Sequence, residues 1–104
     1  MDNLKSKEYA WKWVTASRTL SHGPCEMCYA MITSAAAAST VTIYDGESAT
    51  GDIIAVLEGP ATISQQMHFM APIFCNKGLY VALDQNVTGV LIQWRELMNE
   101  ETGE

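Results

Sequence analysis

The chain has 104 residues, of which 48% are hydrophobic, and its formal net charge is −6 at pH 7. That length allows one domain with a single core and excludes a second domain. Six Lys and Arg residues leave no clustered basic surface for a nucleic acid, and no apolar run approaches the roughly 18 residues of a membrane span, so neither partner is expected.

The N-terminal segment contains three alternating aromatic residues. Residues 1–8 are polar with no apolar run behind their charges, which predicts a loose arm and no secretory signal. Tyr9, Trp11 and Trp13 then fall on one side of an extended segment. Two alternatives remain open: a strand that covers one end of the core, or an arm that docks on a neighbouring subunit, where aromatic anchors are enriched.

The next elements are short strands separated by turn residues. Arg18 to Ser21 predicts a strand, and His22-Gly23-Pro24 predicts a turn. Cys25 to Ser34 is a mostly apolar run. Ala35 to Ser39 has helical propensity but is too short for an isolated helix and precedes β-branched residues, so it predicts a connection between two strands.

The central segment is a β-hairpin pattern. Val41 to Asp45 alternates between two faces, and Asp45-Gly46 predicts the turn. A polar stretch leads to the β-branched run Ile53 to Leu57, which Gly59-Pro60 ends. The pattern predicts two paired strands with a polar loop of about six to eight residues.

Beyond the hairpin the chain alternates further short strands and turns. Pro72 is compatible only with an edge strand or a strand start. The predicted elements are extended segments at Ala61 to Ser64 and Gln66 to Met70, a turn at Asn76 to Gly78, strands at Leu79 to Leu83 and Val87 to Trp94, and a turn at Asp84 to Asn86.

This spacing predicts an all-β fold, an antiparallel β-sandwich (jelly-roll-like) of seven or eight short strands with an extended N-terminal arm. We expect an N-terminal arm at residues 1–14, the β-sandwich domain at 15–95 and an acidic C-terminal tail at 96–104.

Two metal sites are conceivable from the spacing of ligand residues. His22, Cys25 and Cys28, with Cys75 downstream, offer a Cys₃His set for zinc. In a regular strand Cys25 and Cys28 would point to opposite faces, so buried free thiols are favoured, and an odd number of cysteines fits a reducing cytosol. Asp45, Glu47 and Asp52 offer oxygen ligands for calcium, but a turn-forming Asp45 bonded to its own backbone is favoured. We therefore expect no metal and no cofactor.

No catalytic constellation is evident. His22 and His68 are the only histidines, and neither belongs to a recognisable nucleophile motif. We expect no enzyme activity and no catalytic residue.

Four segments, in their order along residues 19–94, resemble short β-rich proteins encoded among the virion genes of tailed bacteriophages. These segments are Leu20-Ser21-His22-Gly23-Pro24-Cys25, Tyr44-Asp45-Gly46, Gly51-Asp52-Ile53-Ile54 and Gly78-Leu79-Tyr80-Val81. The motifs are structural, and none is catalytic.

The resemblance implies a virion structural protein, assembled in the host cytoplasm. Its expected role is a capsid decoration (cement) protein or a head-tail or tail accessory protein. It implies phage capsid or tail proteins as partners and a homo-oligomer, with a trimer favoured; Tyr9, Trp11 and Trp13 are the expected interface. The alternative is a small binding module that recognises carbohydrate or a cell surface through the loops Asp45 to Asp52 and Asp84 to Val87.

Overall fold

The computed structural model describes residues 9–97, which form eight strands and no helix. The strands are β1 (Ala10–Val14), β2 (Arg18–Ser21), β3 (Cys25–Ser34), β4 (Ser39–Asp45), β5 (Asp52–Gly59), β6 (Ser64–Cys75), β7 (Leu79–Leu83) and β8 (Val87–Glu96). Accordingly, residues 9–97 contain no helix that could cross a membrane.

The strands form two four-stranded sheets. The first sheet has the order β1-β8-β3-β6 and the second has the order β2-β7-β4-β5. Every pairing is antiparallel, and β1 pairs with β8, β2 with β7, β3 with β6 and β4 with β5. A long hairpin rolled up on itself gives this connectivity, which is that of a jelly roll. The predicted antiparallel, jelly-roll-like β-sandwich is confirmed.

The core lies between the two sheets. Inward positions alternate along β3, with a bulge around Cys28 that shifts the alternation by one residue. Because β3 is hydrogen-bonded to β8 on one side and β6 on the other, it is an interior strand of the first sheet. The buried apolar residues are Val14, Cys25, Met27, Ala30, Ile32, Val41, Ile43, Leu57, Cys75, Leu79, Val81, Val90 and Ile92.

The N-terminal aromatic segment is a strand of the sandwich. Of the two alternatives for Trp11 and Trp13, the structure shows the strand: both residues lie in β1, which pairs with β8 at the edge of the first sheet. The remainder of the predicted arm, residues 1–8, lies outside the described residues, as do residues 98–104 of the predicted acidic tail. Glu96 is the last residue of β8.

The segment before the β6–β7 turn differs from its prediction. Two short extended pieces were expected, whereas a single strand runs from Ser64 to Cys75. Its pairing with β3 passes from Tyr29↔His68 to Met27↔Ile73, so residues 69–72 bulge out of the ladder. This bulge breaks the alternation of side chains that the prediction used. The edge position predicted for Pro72 is confirmed, since β6 is an edge strand.

The central hairpin is confirmed. Asp45 is paired with Asp52 across β4 and β5, which leaves residues 46–51 as the loop. The predicted connection after β3 is also present and ends one residue early, because Ser39 opens β4. The hydroxyl groups of Ser34 and Ser39 hydrogen-bond to each other over 2.6 Å in the interior, which satisfies two buried polar groups at this connection.

Gly78 allows a close approach of three backbone segments, so its substitution should destabilise the fold. A Cβ atom there would lie 2.7 Å from the carbonyl oxygen of Ser21 and 2.8 Å from that of Gly46. We expect Gly78→Ala to lower the free energy of unfolding by about 2–4 kcal/mol, measured by urea denaturation. The control is Gly23→Ala, because a Cβ at Gly23 has no neighbour within 4 Å. Equal unfolding midpoints for the two variants would contradict this packing.

Candidate interaction surfaces

Trp11 and Trp13 lie on the outer face of the first sheet. They are paired with Gln93 and Leu91, whereas their neighbour Val14 points into the core. Trp11 is 67% exposed and Trp13 is 42% exposed. The Trp13 ring covers β8 at Gly89, where a Cβ atom would come within 2.2 Å of the ring. Trp13 is thus held against the sheet, and Trp11 is the more accessible ring.

Tyr9 has partners within the chain. Its hydroxyl group donates to Glu26 Oε1 over 3.0 Å, and the same oxygen accepts from Arg95 Nε over 3.1 Å. The Arg95 guanidinium carbon lies 5.0 Å from the centre of the Tyr9 ring, a cation–π distance. Burial, followed by the hydrogen bond to Glu26, raises the pKa of Tyr9. Of the three predicted interface residues, Tyr9 therefore makes hydrogen-bond and cation–π contacts with Glu26 and Arg95 of its own chain.

A second apolar surface, which sequence reasoning missed, follows β5 and β6. Of the eight large apolar side chains that residues 9–97 leave exposed, six lie in this part of the chain: Ile53, Val56, Ile63, Met67, Met70 and Phe74. Met70, in the β6 bulge, is 100% exposed. One feature of the sequence points to this surface: no Asp, Glu, Lys or Arg occurs between Glu58 and Lys77, so the exposed positions of this segment are uncharged.

The sandwich is open between these two edge strands. A groove of about 110 Å³ runs between β5 and β6, and it is lined on one side by Val56 and Glu58 and on the other by Gln65 and Met67. The buried core residues Ile32 and Leu57 also contribute to its lining. Both core residues remain buried, so the groove reaches the edge of the core without exposing it.

Asp45 braces the loops at one end of the sandwich. Its carboxylate accepts hydrogen bonds from the backbone amides of Asn76, Lys77 and Gly78, at 3.0, 2.7 and 3.3 Å. The expected bonding of Asp45 to its own turn is therefore wrong, because its partners lie in the β6–β7 turn. Burial of the carboxylate opposes ionisation, but the three amides and the nearby Lys77 charge outweigh it and lower the pKa of Asp45.

The residues considered for metals are dispersed. Cys25 and Cys75 are opposite each other in β3 and β6 within the core, whereas the Cys28 thiol points to the carbonyl oxygen of Gln93. His22 Nδ1 lies 2.9 Å from Glu47 Oε1 on the surface. Among residues 9–97, no three His, Cys, Asp or Glu side chains are grouped to hold a metal ion. All three cysteines are free thiols.

The pKa values of the Cys75 and Cys28 thiols are raised, whereas the hydrogen bond with Cys75 lowers the pKa of Cys25. The closeness of the Cys25 sulfur, followed by burial, raises the pKa of the Cys75 thiol. Burial raises the pKa of Cys28. Since the thiolate is the reactive form, these two cysteines are poor nucleophiles near neutral pH.

No protein-family model, curated protein or solved structure matches the chain. The sandwich itself has two exposed surfaces that are suited to contact with a partner. These surfaces are the aromatic pair on β1 and the apolar side along β5 and β6.

Substitution of Asp45 should destabilise the fold in a pH-dependent way. Asp45→Asn removes the charge and one acceptor oxygen, so we expect a loss of about 1–3 kcal/mol at pH 7 by urea denaturation. Because the pKa of Asp45 is lowered on folding, its contribution is present above the unfolded-state pKa of about 3.9 and is lost as pH falls through the folded-state pKa. The difference between wild type and variant should therefore shrink in acid.

The matched control for this prediction is Asp52→Asn. Asp52 is paired with Asp45 across the hairpin but its carboxylate makes no hydrogen bond within residues 9–97. We expect this control to stay within about 0.5 kcal/mol of wild type. Equal losses for both variants, or a loss for Asp45→Asn that persists at low pH, would rule out the bracing role.

Proposed function

We propose that the protein is a non-enzymatic structural subunit that oligomerises and attaches to a larger particle. The particle we propose is the virion of a tailed bacteriophage, where the subunit serves as a capsid decoration protein or as a head-tail or tail accessory protein. One observation carries the proposal: large apolar side chains are exposed along the edges of a sandwich whose core is complete without them. Large apolar side chains exposed in this way are typical of protein–protein contacts.

The exposed aromatic and apolar residues make little contribution to the interior. The buried core is built from inward residues of the two sheets, and it does not include Trp11, Met70 or Phe74. Their exposure, at 67%, 100% and 56%, carries a solvation cost that a partner surface would remove. A structural subunit that is covered in its assembly meets that condition.

The fold is compatible with this role and with others. Jelly rolls occur in viral capsid proteins, lectins and cupins, so the architecture alone does not select among them. The order of motifs along residues 19–94 adds the resemblance to phage virion proteins, which favours the assembly role and a trimeric oligomer.

The contacts of two loop carboxylates favour assembly over the alternative of a carbohydrate- or cell-binding module. The proposed ligand loops contain Asp45 and Asp84 as prominent polar groups. Asp45 accepts from three backbone amides, and Asp84 accepts from the amides of Thr40 and Asn86. Both carboxylates thus brace neighbouring backbone and have fewer free lone pairs for an external ligand.

Trp11→Ala tests the proposal with little effect on folding. Trp11 is mainly exposed, whereas Trp13 covers Gly89 and would complicate a double substitution. We expect wild type to form a closed oligomer, favoured as a trimer. The dissociation constant of the variant should be at least tenfold higher, because truncation of an aromatic anchor usually costs more than about 1 kcal/mol of binding energy. The measurement is solution mass by light scattering at several concentrations, with chelator added to a parallel sample.

The melting temperature of the variant should stay within a few degrees of wild type, which separates assembly from folding. A wild-type monomer at every concentration would contradict the oligomeric part of the proposal. Loss of the oligomer on chelation would show that a metal holds it together.

A further inference from the structure

The four edge strands lie on two opposite sides of the sandwich. Edge strands β1 and β2 are joined by residues 15–17 and form one side, which we name the β1–β2 side. Edge strands β5 and β6 are joined by residues 60–63 and form the opposite side, the β5–β6 side. Each sheet thus contributes one edge to each side.

The β1–β2 side is aromatic and basic. Lys12 and Arg18 are exposed on its two edge strands, and Trp11 and Trp13 lie beside them on the outer face of β1. No Asp or Glu occurs from Ala10 to Ser21. Lys12 and Arg18 are also two of the four Lys and Arg residues within 9–97, so cationic charge is concentrated on this side.

The β5–β6 side is apolar and acidic. Met67, Met70 and Phe74 are exposed along β6, and Asp52 and Glu58 are exposed on β5. The sequence contains no Lys or Arg between Arg18 and Lys77, so β3, β4, β5 and β6 carry none. Lys77, in the β6–β7 turn, is the one Lys or Arg of residues 9–97 that lies beside Asp45, the partner of Asp52 in the hairpin.

We infer that copies of this protein associate head to tail, with the β1–β2 side of one copy docked on the β5–β6 side of the next. The inference deepens the proposed function and depends on its self-association. Apolar surface then meets aromatic surface, and Lys12 and Arg18 face Asp52 and Glu58 at the rim. Head-to-tail contacts close into a ring when the rotation between copies allows it, as in a trimer.

Charge selects this arrangement over contacts between like sides. Two β5–β6 sides would bring four carboxylates together in a protein whose net charge is already −6. Two β1–β2 sides would bring four cations together. Only the head-to-tail contact pairs opposite charges, and like charges placed across an interface are strongly unfavourable.

The two tryptophans supply a substantial part of the area that a specific contact needs. A standard interface buries about 800 Å² on each partner. Trp11 and Trp13, at 67% and 42% exposure of roughly 250 Å² each, supply about a third of that on the β1–β2 side alone.

Charge reversal on each side separately, and then on both sides together, tests the inference. The first variant is Lys12→Glu/Arg18→Glu, the second is Asp52→Lys/Glu58→Lys, and the third carries all four substitutions and keeps the net charge of wild type. All four side chains are exposed, so circular dichroism and the melting temperature should stay close to wild type. The readout is solution mass by light scattering across a concentration series at low ionic strength, where rim charges act most strongly.

We expect each two-site variant to need at least roughly tenfold higher concentration for association, and the four-site variant to return to within about threefold of wild type. The control Ala36→Glu/Gln85→Glu adds exposed negative charge on connections at one end of the sandwich and should associate like wild type. This control shifts the net charge in the same direction as the first variant, by half as much, so it tests for a general effect of added negative charge.

The other outcomes overturn the inference in distinguishable ways. If wild type associates but only one two-site variant is weakened, or the four-site variant is not restored, the contact is not head to tail. If neither variant differs from an associating wild type, the contact uses another surface and the proposed function stands. If wild type is a monomer throughout, the inference and the oligomeric part of the proposed function fail together.

Discussion

Main-chain hydrogen bonding determines which strands of this small sandwich have an unpaired edge at its surface. Two open four-stranded sheets leave four edge strands, and the jelly-roll connectivity makes these β1, β2, β5 and β6. Edge strands expose unpaired backbone groups and the rim of the core, so they are where natural proteins must avoid association or use it. The exposed tryptophans of β1 and the exposed apolar residues of β5 and β6 lie on these strands. The strand order therefore determines which residues form the candidate interaction surfaces.

Loop contacts at one end of the sandwich keep this arrangement rigid. Asp45 holds the β6–β7 turn, and Gly78 allows the backbone of that turn to pack against Ser21 and Gly46. The amide of Gly46 also donates to the carbonyl oxygen of Gly78 over 3.3 Å. Because these groups satisfy one another, Asp45 and the β6–β7 turn serve the fold.

Local pattern was sufficient to predict most of the strands. Arg18 to Ser21 has the bounds of β2, and the turn residues on either side of Leu79 to Leu83 delimit β7 because their backbone preferences are local. In β6 the same reasoning was wrong, since the bulge at residues 69–72 breaks the period of two. The partners of Asp45 and the exposure of Met70 depend on strand order, which a single sequence does not contain.

Zero-length carbodiimide cross-linking tests head-to-tail association most directly, because it joins an amine and a carboxylate only when they are in contact. An equal mixture of ¹⁴N- and ¹⁵N-labelled protein, digested and analysed by mass spectrometry, distinguishes links between copies from links within one copy. We predict mixed-isotope links from Lys12 to Asp52 or Glu58 at concentrations where the oligomer forms. Abundant links between copies that join other residues, with none from Lys12 to these carboxylates, would contradict the head-to-tail contact.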